Sequence, residues 1–489
     1  MSSSQRPSRD PVRISRRAFL ASGALVPLGG LAAAQENPWA KLLKEYDSVR
    51  PPTYEAVMPV PRLAVARSED GADVFEVAMK RGLARPLPGA ATEIWGYDGL
   101  WPGPTLLATR GRPARVHFRN ELDENMTVHN HGHRAPPDSD GHPVDYVRPG
   151  ATREYHYPNR QAAGTYWYHD HAHGLTGPHV YRGLAGFYII RDPAEEALGL
   201  PSGDFDVPVV LQDRIFDAAN ALSYAVNAGT IFNGFLGNTL CVNGVHVPRF
   251  EVAARRYRFR FLNGSNARNY RLALDPAQPL VQVGSDGGLL AAPVPRPAVD
   301  LAPAERCDCV IDFGALAGRS VFLRNLDPTW PALPDVLRFD VGPATPDPSR
   351  VPARLSEIRR LDPARAQATR VISFQLSDGK WTMNGLSYDP ARIDFRPKLG
   401  SVEVWELQNR EPTQMHPFHQ HLVPFQVLDV NGAPPPPELG GFKDTVAVPP
   451  AGTVRIIMEF TGYTGVYVFH CHKLEHEDHD MMLQQEVMA

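Results

Sequence analysis

A chain of 489 residues is too long for a single hydrophobic core and points to about three domains. Its 50 Lys and Arg face 54 Asp and Glu, a balance that excludes nucleic-acid binding through bulk positive charge. Forty-eight prolines and forty glycines lie between short runs rich in Val, Phe and Tyr, which favours an all-β protein with many turns.

In chain order, residues 1–34 come first and read as an export signal. Five arginines precede Ala18, Arg16 and Arg17 are adjacent in SRRAFLAS, and an uncharged stretch runs from Ala18 to Ala34. The pattern is similar to a twin-arginine signal. It predicts recognition by the twin-arginine export machinery, cleavage after Ala32-Ala33-Ala34, and an exported bacterial protein, periplasmic or secreted. Gly23, Pro27, Gly29 and Gly30 interrupt a stretch already shorter than the roughly 20 residues a membrane span needs, so no membrane attachment is expected in the mature form. Loss of five arginines and Asp10 leaves 45 basic against 53 acidic residues, a net charge of −8. The cysteines, Cys241, Cys307, Cys309 and Cys471, do not make a disulfide framework. Cys307 and Cys309 share a face of the strand-like run ERCDCVIDF and are expected as buried thiols.

Two themes then recur three times. The first is a turn with Gly and Pro followed by an alternating strand that closes on Asn: DGLWPGPTLLATRGRPARVHFRN, CVNGVHVPRFEVAARRYRFRFLN and MNGLSYDPARIDFRPKLGSVEVWELQN. The closing Asn120, Asn263 and Asn409 are 143 and 146 residues apart, the spacing of whole domains. The second theme is Pro, turn, strand, Gly-containing turn, strand: PGATREYHYPNRQAAGTYWYHDH, PAERCDCVIDFGALAGRSVFLRN and PAGTVRIIMEFTGYTGVYVFHCH. Three Greek-key β-sandwiches follow, expected at 35–195, 196–345 and 367–489, with a Pro- and Arg-rich linker at 346–366. Only the outer copies end in histidine pairs, so the middle one is read as a spacer holding them in place.

Ten of the eighteen histidines fall in four clusters: His129-Asn-His131, His169-Asp-His171, His416-Pro-Phe-His419-Gln-His421, and His470-Cys471-His472 continuing to His476 and Met481. On a strand, residues two apart point the same way, so each His-x-His presents two imidazoles on one face. Four pairs facing one another across a domain interface supply eight nitrogens, a number suited to three copper ions with positions left open for oxygen. Cys471 takes the opposite face from His470 and His472, as His416 does from His419 and His421. Cys471, His416 and His476, with Met481 as a weak fourth ligand, then form a separate site of the blue-copper kind.

With these motifs the chain resembles the multicopper oxidases over essentially its whole mature length. HPFHQHLVPFQV, HCHKLEHEDHDMM, WYHDHAHG and PPDSDGHP are similar to the branch holding the bacterial spore-coat laccase, bilirubin oxidase and phenoxazinone synthase. The resemblance implies cupredoxin-like domains and four copper ions, one type 1, one type 2 and two type 3. It assigns His129 and His419 to type 2; His131, His169, His171, His421, His470 and His472 to the type 3 pair; and His416, Cys471, His476 and Met481 to type 1. It also marks Asp140 and Glu477 as proton donors for dioxygen, which needs four protons with its four electrons. His133 is not expected to be a ligand, because Gly132 should end its strand.

The expected partners are dioxygen and a small-molecule electron donor, a phenol or a related aromatic or pyrrolic compound. The alternatives are a cuprous or other metal-ion oxidase, disfavoured by only ten scattered methionines, and a copper-free scaffold of the same fold, disfavoured by the intact ligand set. A copper nitrite reductase would have two such domains and no paired histidines.

Overall fold

The computed structural model describes residues 53–329 and 331–489, so the signal expected at 1–34 lies outside the described residues. The described residues form six sheets, two in each third of that length. A five- and a four-stranded sheet occupy 67–191, a seven- and a five-stranded sheet 206–344, and a five- and a four-stranded sheet 368–487. The apolar residues of each pair meet in one core. Val77 and Phe118 pack with Leu106 and Tyr188 in the first, Phe259 and Phe261 with Leu323 and Phe339 in the second, and Trp405 and Leu407 with Phe418 and Phe469 in the third.

The repeat seen in the sequence is a repeat of pairing. Ala114–Asn120, Arg256–Asn263 and Val402–Asn409 each run parallel to a preceding strand, Ala72–Ala84, Asp206–Arg214 and Ala368–Ser377. Each also runs antiparallel to the strand that opens the second theme, Thr152–Tyr157, Arg306–Asp312 and Thr453–Glu459. The closing asparagine does the same job in all three. Its side-chain oxygen accepts from the backbone N–H two residues on, at Leu122, Ser265 and Glu411, and its amide donates to two backbone carbonyls. Those carbonyls belong to Glu124 and Val147, Arg268 and Leu301, and Gln414 and Val448. A buried amide therefore satisfies the corner where each strand leaves its sheet.

Between the strands Asp335–Ala344 and Ala368–Ser377 the only regular element is a single 3-10 turn at Pro363–Arg365. All four cysteines are free and buried, and the sulfurs of Cys307 and Cys309 lie 3.4 Å apart on the strand Arg306–Asp312. No helix among the described residues is long and apolar enough to cross a membrane.

Asn409→Ala removes the acceptor for Glu411 N–H and strands two carbonyls. The expected cost is about 2 kcal/mol, read as a lowered calorimetric transition. An unchanged transition would show that the corner is not held by this side chain.

Candidate metal centres

The histidine-bearing strands of the first and third sandwiches are held in register by backbone pairing. Val128–Asn130 pairs with Gly164–Asp170, setting His129 opposite His169, and His416–Gln420 pairs with Gly465–Cys471, setting His419 opposite His470. His131, His421 and His472 lie just past the ends of these strands, yet the ladder continues. Their N–H groups donate to Trp167, Val468 and Pro417 carbonyls at 2.9, 3.3 and 2.7 Å, so the alternation is kept.

Eight imidazoles meet in one cavity between the two sandwiches, every one buried: His129, His131, His169, His171, His419, His421, His470 and His472. They fall into three sets by the approach of their Nε2 atoms. In the first, His131 Nε2 lies 3.0 Å from that of His169 and 3.1 Å from that of His472. In the second, His470 Nε2 lies 3.1 Å from that of His171 and 3.4 Å from that of His421. The third is His129 with His419, at 3.2 Å. Trp167 stacks on both His131 and His169, with ring centroids 4.6 and 4.5 Å away.

Five of these rings have the other nitrogen committed to a neighbouring oxygen. Nδ1 donates to the Asp140 carbonyl from His129 (2.6 Å), to that of Asp170 from His169 (2.7 Å), to that of Asp444 from His419 (2.8 Å) and to that of Cys471 from His470 (3.1 Å). In His421 it donates to Asp140 Oδ2 at 2.7 Å. A neutral imidazole has one N–H, so the inward Nε2 atoms carry lone pairs. Lone pairs facing at about 3 Å repel unless a cation lies between them, and this separation is what two bonds of roughly 2.0 Å from imidazole to one metal ion produce. The residues therefore fit copper. Protonation of five of these rings is opposed: burial first, then the neighbouring imidazoles, hold His129, His131, His171, His421 and His472 well below the ordinary histidine value.

The second centre lies in the core of the third sandwich. His416 Nδ1, His476 Nδ1 and Cys471 Sγ form a triangle with sides of 3.3, 3.4 and 3.6 Å. His476 is oriented from the other side, where Nε2 donates to the Phe232 carbonyl at 3.0 Å, and Trp381 stacks on its ring. Burial pushes the Cys471 thiol up to about 12, so it becomes a thiolate only with a cation beside it. Met481 is fully buried in the same core, and its backbone brackets the site: its N–H donates to His476 and its carbonyl accepts from Cys471.

Both carboxyls singled out in the sequence are buried against the cluster. Asp140 meets His421 and His129 as described, and burial raises it well above the ordinary carboxyl range. Glu477 Oε1 accepts from the Thr176 hydroxyl at 2.7 Å and lies 3.2 Å from His171 Nδ1, while Oε2 lies 3.3 Å from His470 Nδ1. Burial, then the neighbouring Asp478, raises it too. His133 stays out of every group of potential ligands and packs among Tyr157, Tyr166 and Tyr188, beside Gly132 at φ +73°.

Sequence reasoning missed several residues that shape these sites. The middle sandwich is more than a spacer, because it supplies Phe232 to His476 and Arg306 to Asp444. Asp444 sits next to Thr445 on the strand opposite His419, and Asp170 is the central residue of the His-Asp-His motif. Asp170 could have been found from its place between two histidines, whereas Asp444 carries no such signal in the sequence.

Sequence profiles described as multicopper oxidase match residues 78–195 and 360–489. A laccase of Bacillus subtilis (strain 168) is 36% identical over 84% of this chain and 94% of its own length. A bilirubin oxidase of Albifimbria verrucaria is 36% identical over 90% of this chain and 82% of its own. The solved structure of a laccase from Pediococcus acidilactici superposes with a TM-score of 0.85 at 34% identity, covering 90% of this chain and 95% of that one. The chain belongs to the multicopper oxidase family. It is a laccase-like oxidoreductase that uses copper and dioxygen, built from cupredoxin-like sandwiches.

In the metal-free protein nine histidines of the two centres have folded values held below the unfolded one, near 6.5. The unfolded chain then binds more protons as pH falls through about 6.5, and stability falls with it. Asp140, Glu475, Glu477 and Asp478, shifted upward, act in the opposite sense but are fewer. Metal-free protein should melt at lower temperature at about pH 5 than at about pH 7.5; a higher melting temperature in acid would contradict this reading of the cavity.

Proposed function

We propose that this protein holds four copper ions and couples the one-electron oxidation of phenolic, aromatic or pyrrolic reductants to the reduction of dioxygen to water. His416, Cys471 and His476, with Met481 as the weak fourth ligand, hold type 1. His129 and His419 hold type 2. His131, His169 and His472 hold one type 3 ion, and His171, His421 and His470 the other. The observation that carries this reading is the approach of inward-facing nitrogens in three sets beside one His₂Cys triangle. Bound copper supplies the one-electron couple at type 1 and the four-electron chemistry of dioxygen at the cluster.

The protein's own part is conduction, proton supply and exclusion of water. Cys471 links the centres, because His470 and His472 are its covalent neighbours and face the cluster while its sulfur faces type 1. Asp140 Oδ2 accepts from His421, leaving Oδ1 to carry a proton. Glu477 Oε1 accepts from Thr176, and Oε2, which has no hydrogen-bond partner, carries the other. Four electrons and four protons convert one dioxygen to two waters, so buried acids beside the cluster match its demand. Phe232, part-exposed and packed on the buried Trp381 beside His476, suits a flat organic donor, in line with relatives named laccase and bilirubin oxidase.

In the same reading the domains span 35–195, 196–345 and 367–489, joined by a linker at 346–366. Residues 1–34 form a twin-arginine signal that delivers a periplasmic or secreted protein.

Purified holoprotein should contain about four coppers per chain, show an intense blue band and consume oxygen with phenols or bilirubin without releasing peroxide. Oxygen uptake driven by Cu(I) alone would assign it instead to metal-ion oxidation. Cys471→Ser should lose the blue band and keep the fold, and a retained band would remove Cys471 from the site. Asp140→Asn should lower turnover roughly 100-fold with the blue band intact; unaltered turnover would end its role as donor.

A further inference from the structure

Arg306 ties the middle sandwich to both halves of the cluster. It is fully buried, and each of its five N–H groups meets an acceptor. Nε donates to the Thr165 carbonyl at 3.1 Å, on the strand Gly164–Asp170 that carries His169. Nη1 donates to the Ala304 carbonyl at 2.9 Å and to Asp444 Oδ1 at 2.8 Å, and Nη2 to the Asp286 carbonyl at 3.2 Å and to Asp444 Oδ2. The guanidinium therefore grips the carboxylate through both oxygens, the most directional form of this pair.

Asp444 in turn faces a ligand of each kind. Its carbonyl accepts from His419 Nδ1 at 2.8 Å, and its Oδ1 lies 3.5 Å from that nitrogen and 3.6 Å from His131 Nδ1. The Thr445 hydroxyl donates to Oδ1 at 2.8 Å and keeps it on that side. Space for the carboxylate depends on Gly132, where a Cβ would come within 2.9 Å of Oδ2. The rings of His131 and His419 are stacked, with centroids 3.9 Å apart, so one carboxylate reaches the outer edge of both.

A buried ion pair at a domain junction is weak evidence for stabilisation, because apolar packing of similar volume serves as well or better. What apolar packing does not supply is an oriented acceptor behind a metal ligand. We propose that the Arg306–Asp444 pair is a positioning device for the type 2 side of the cluster: by fixing Asp444, the middle sandwich holds in place the backbone carbonyl that sets the tautomer of His419 and a carboxylate charge beside the outer edges of His419 and His131. This rests on the ligand set proposed above. Partners of this kind commonly change metal affinity or activity by about 10–100-fold.

The test uses copper-loaded full-length protein and the variants Asp444→Asn, Arg306→Gln and Arg306→Lys. Type 2 copper should be stripped at about 10–100-fold lower chelator concentration in the first two, with an altered hyperfine splitting in its paramagnetic resonance spectrum. The type 1 blue band should stay unchanged, and Arg306→Lys should recover part of the loss. Folded variants with the parent splitting and chelator resistance would overturn the proposal. So would loss of all coppers together with a lowered melting temperature, or failure of all three variants to fold, either of which would mark the pair as merely structural. His419→Ala is the control: if it leaves type 2 copper in place, the ligand set is wrong; if it removes that copper while the Arg306 and Asp444 variants do not, only the positioning role is.

Discussion

Imidazoles with their lone pairs turned toward one another in a buried cavity are the constraint on which the rest of this protein depends. Burial keeps protons off most of these rings, and the oxygens behind several of them commit Nδ1 to donation, so the inward nitrogens there present lone pairs. A cation removes that conflict. The sandwiches, their register and the carboxyl groups around the cavity all serve to hold the rings in this otherwise unfavourable state.

The strand Gly465–Cys471 and the two residues' worth of chemistry at its end show how little chain is needed to join two centres. Alternation sends His470 and His472 to one face and Cys471 to the other. The thiol enters the apolar core of its own sandwich, while the imidazoles enter the cavity shared with the first. In the proposed ligand set, the route from the sulfur to an imidazole of the cluster runs through two side chains and the single peptide link between them. The two environments also differ, one apolar and aromatic, the other bordered by the buried carboxyls of Asp140 and Glu477.

Much of this was legible in the sequence because a period of two is a local property. His129 with His131, or His419 with His421, declare a shared face without knowledge of what lies opposite, and the closing asparagines declare a repeated corner. The parity survived even where His131, His421 and His472 step off the ends of their strands, since backbone pairing continues one residue further. What was not legible was whatever depends on distant segments meeting. Phe232 contributes only a carbonyl, which carries no side-chain signature. Arg306 and Asp444 are 138 residues apart, and each alone reads as an ordinary charged residue in a strand-like run. The middle sandwich, lacking histidine pairs, read as a spacer because its contributions are made behind the ligands and not as ligands.

The most direct test is anomalous diffraction at the copper edge from a copper-loaded crystal. The account predicts four peaks: one among His416, Cys471 and His476, and three among the inward nitrogens of the eight-histidine cavity, the one between His129 and His419 lying apart from the other two. Copper found only at surface carboxylates, with that cavity free of anomalous density, would contradict it.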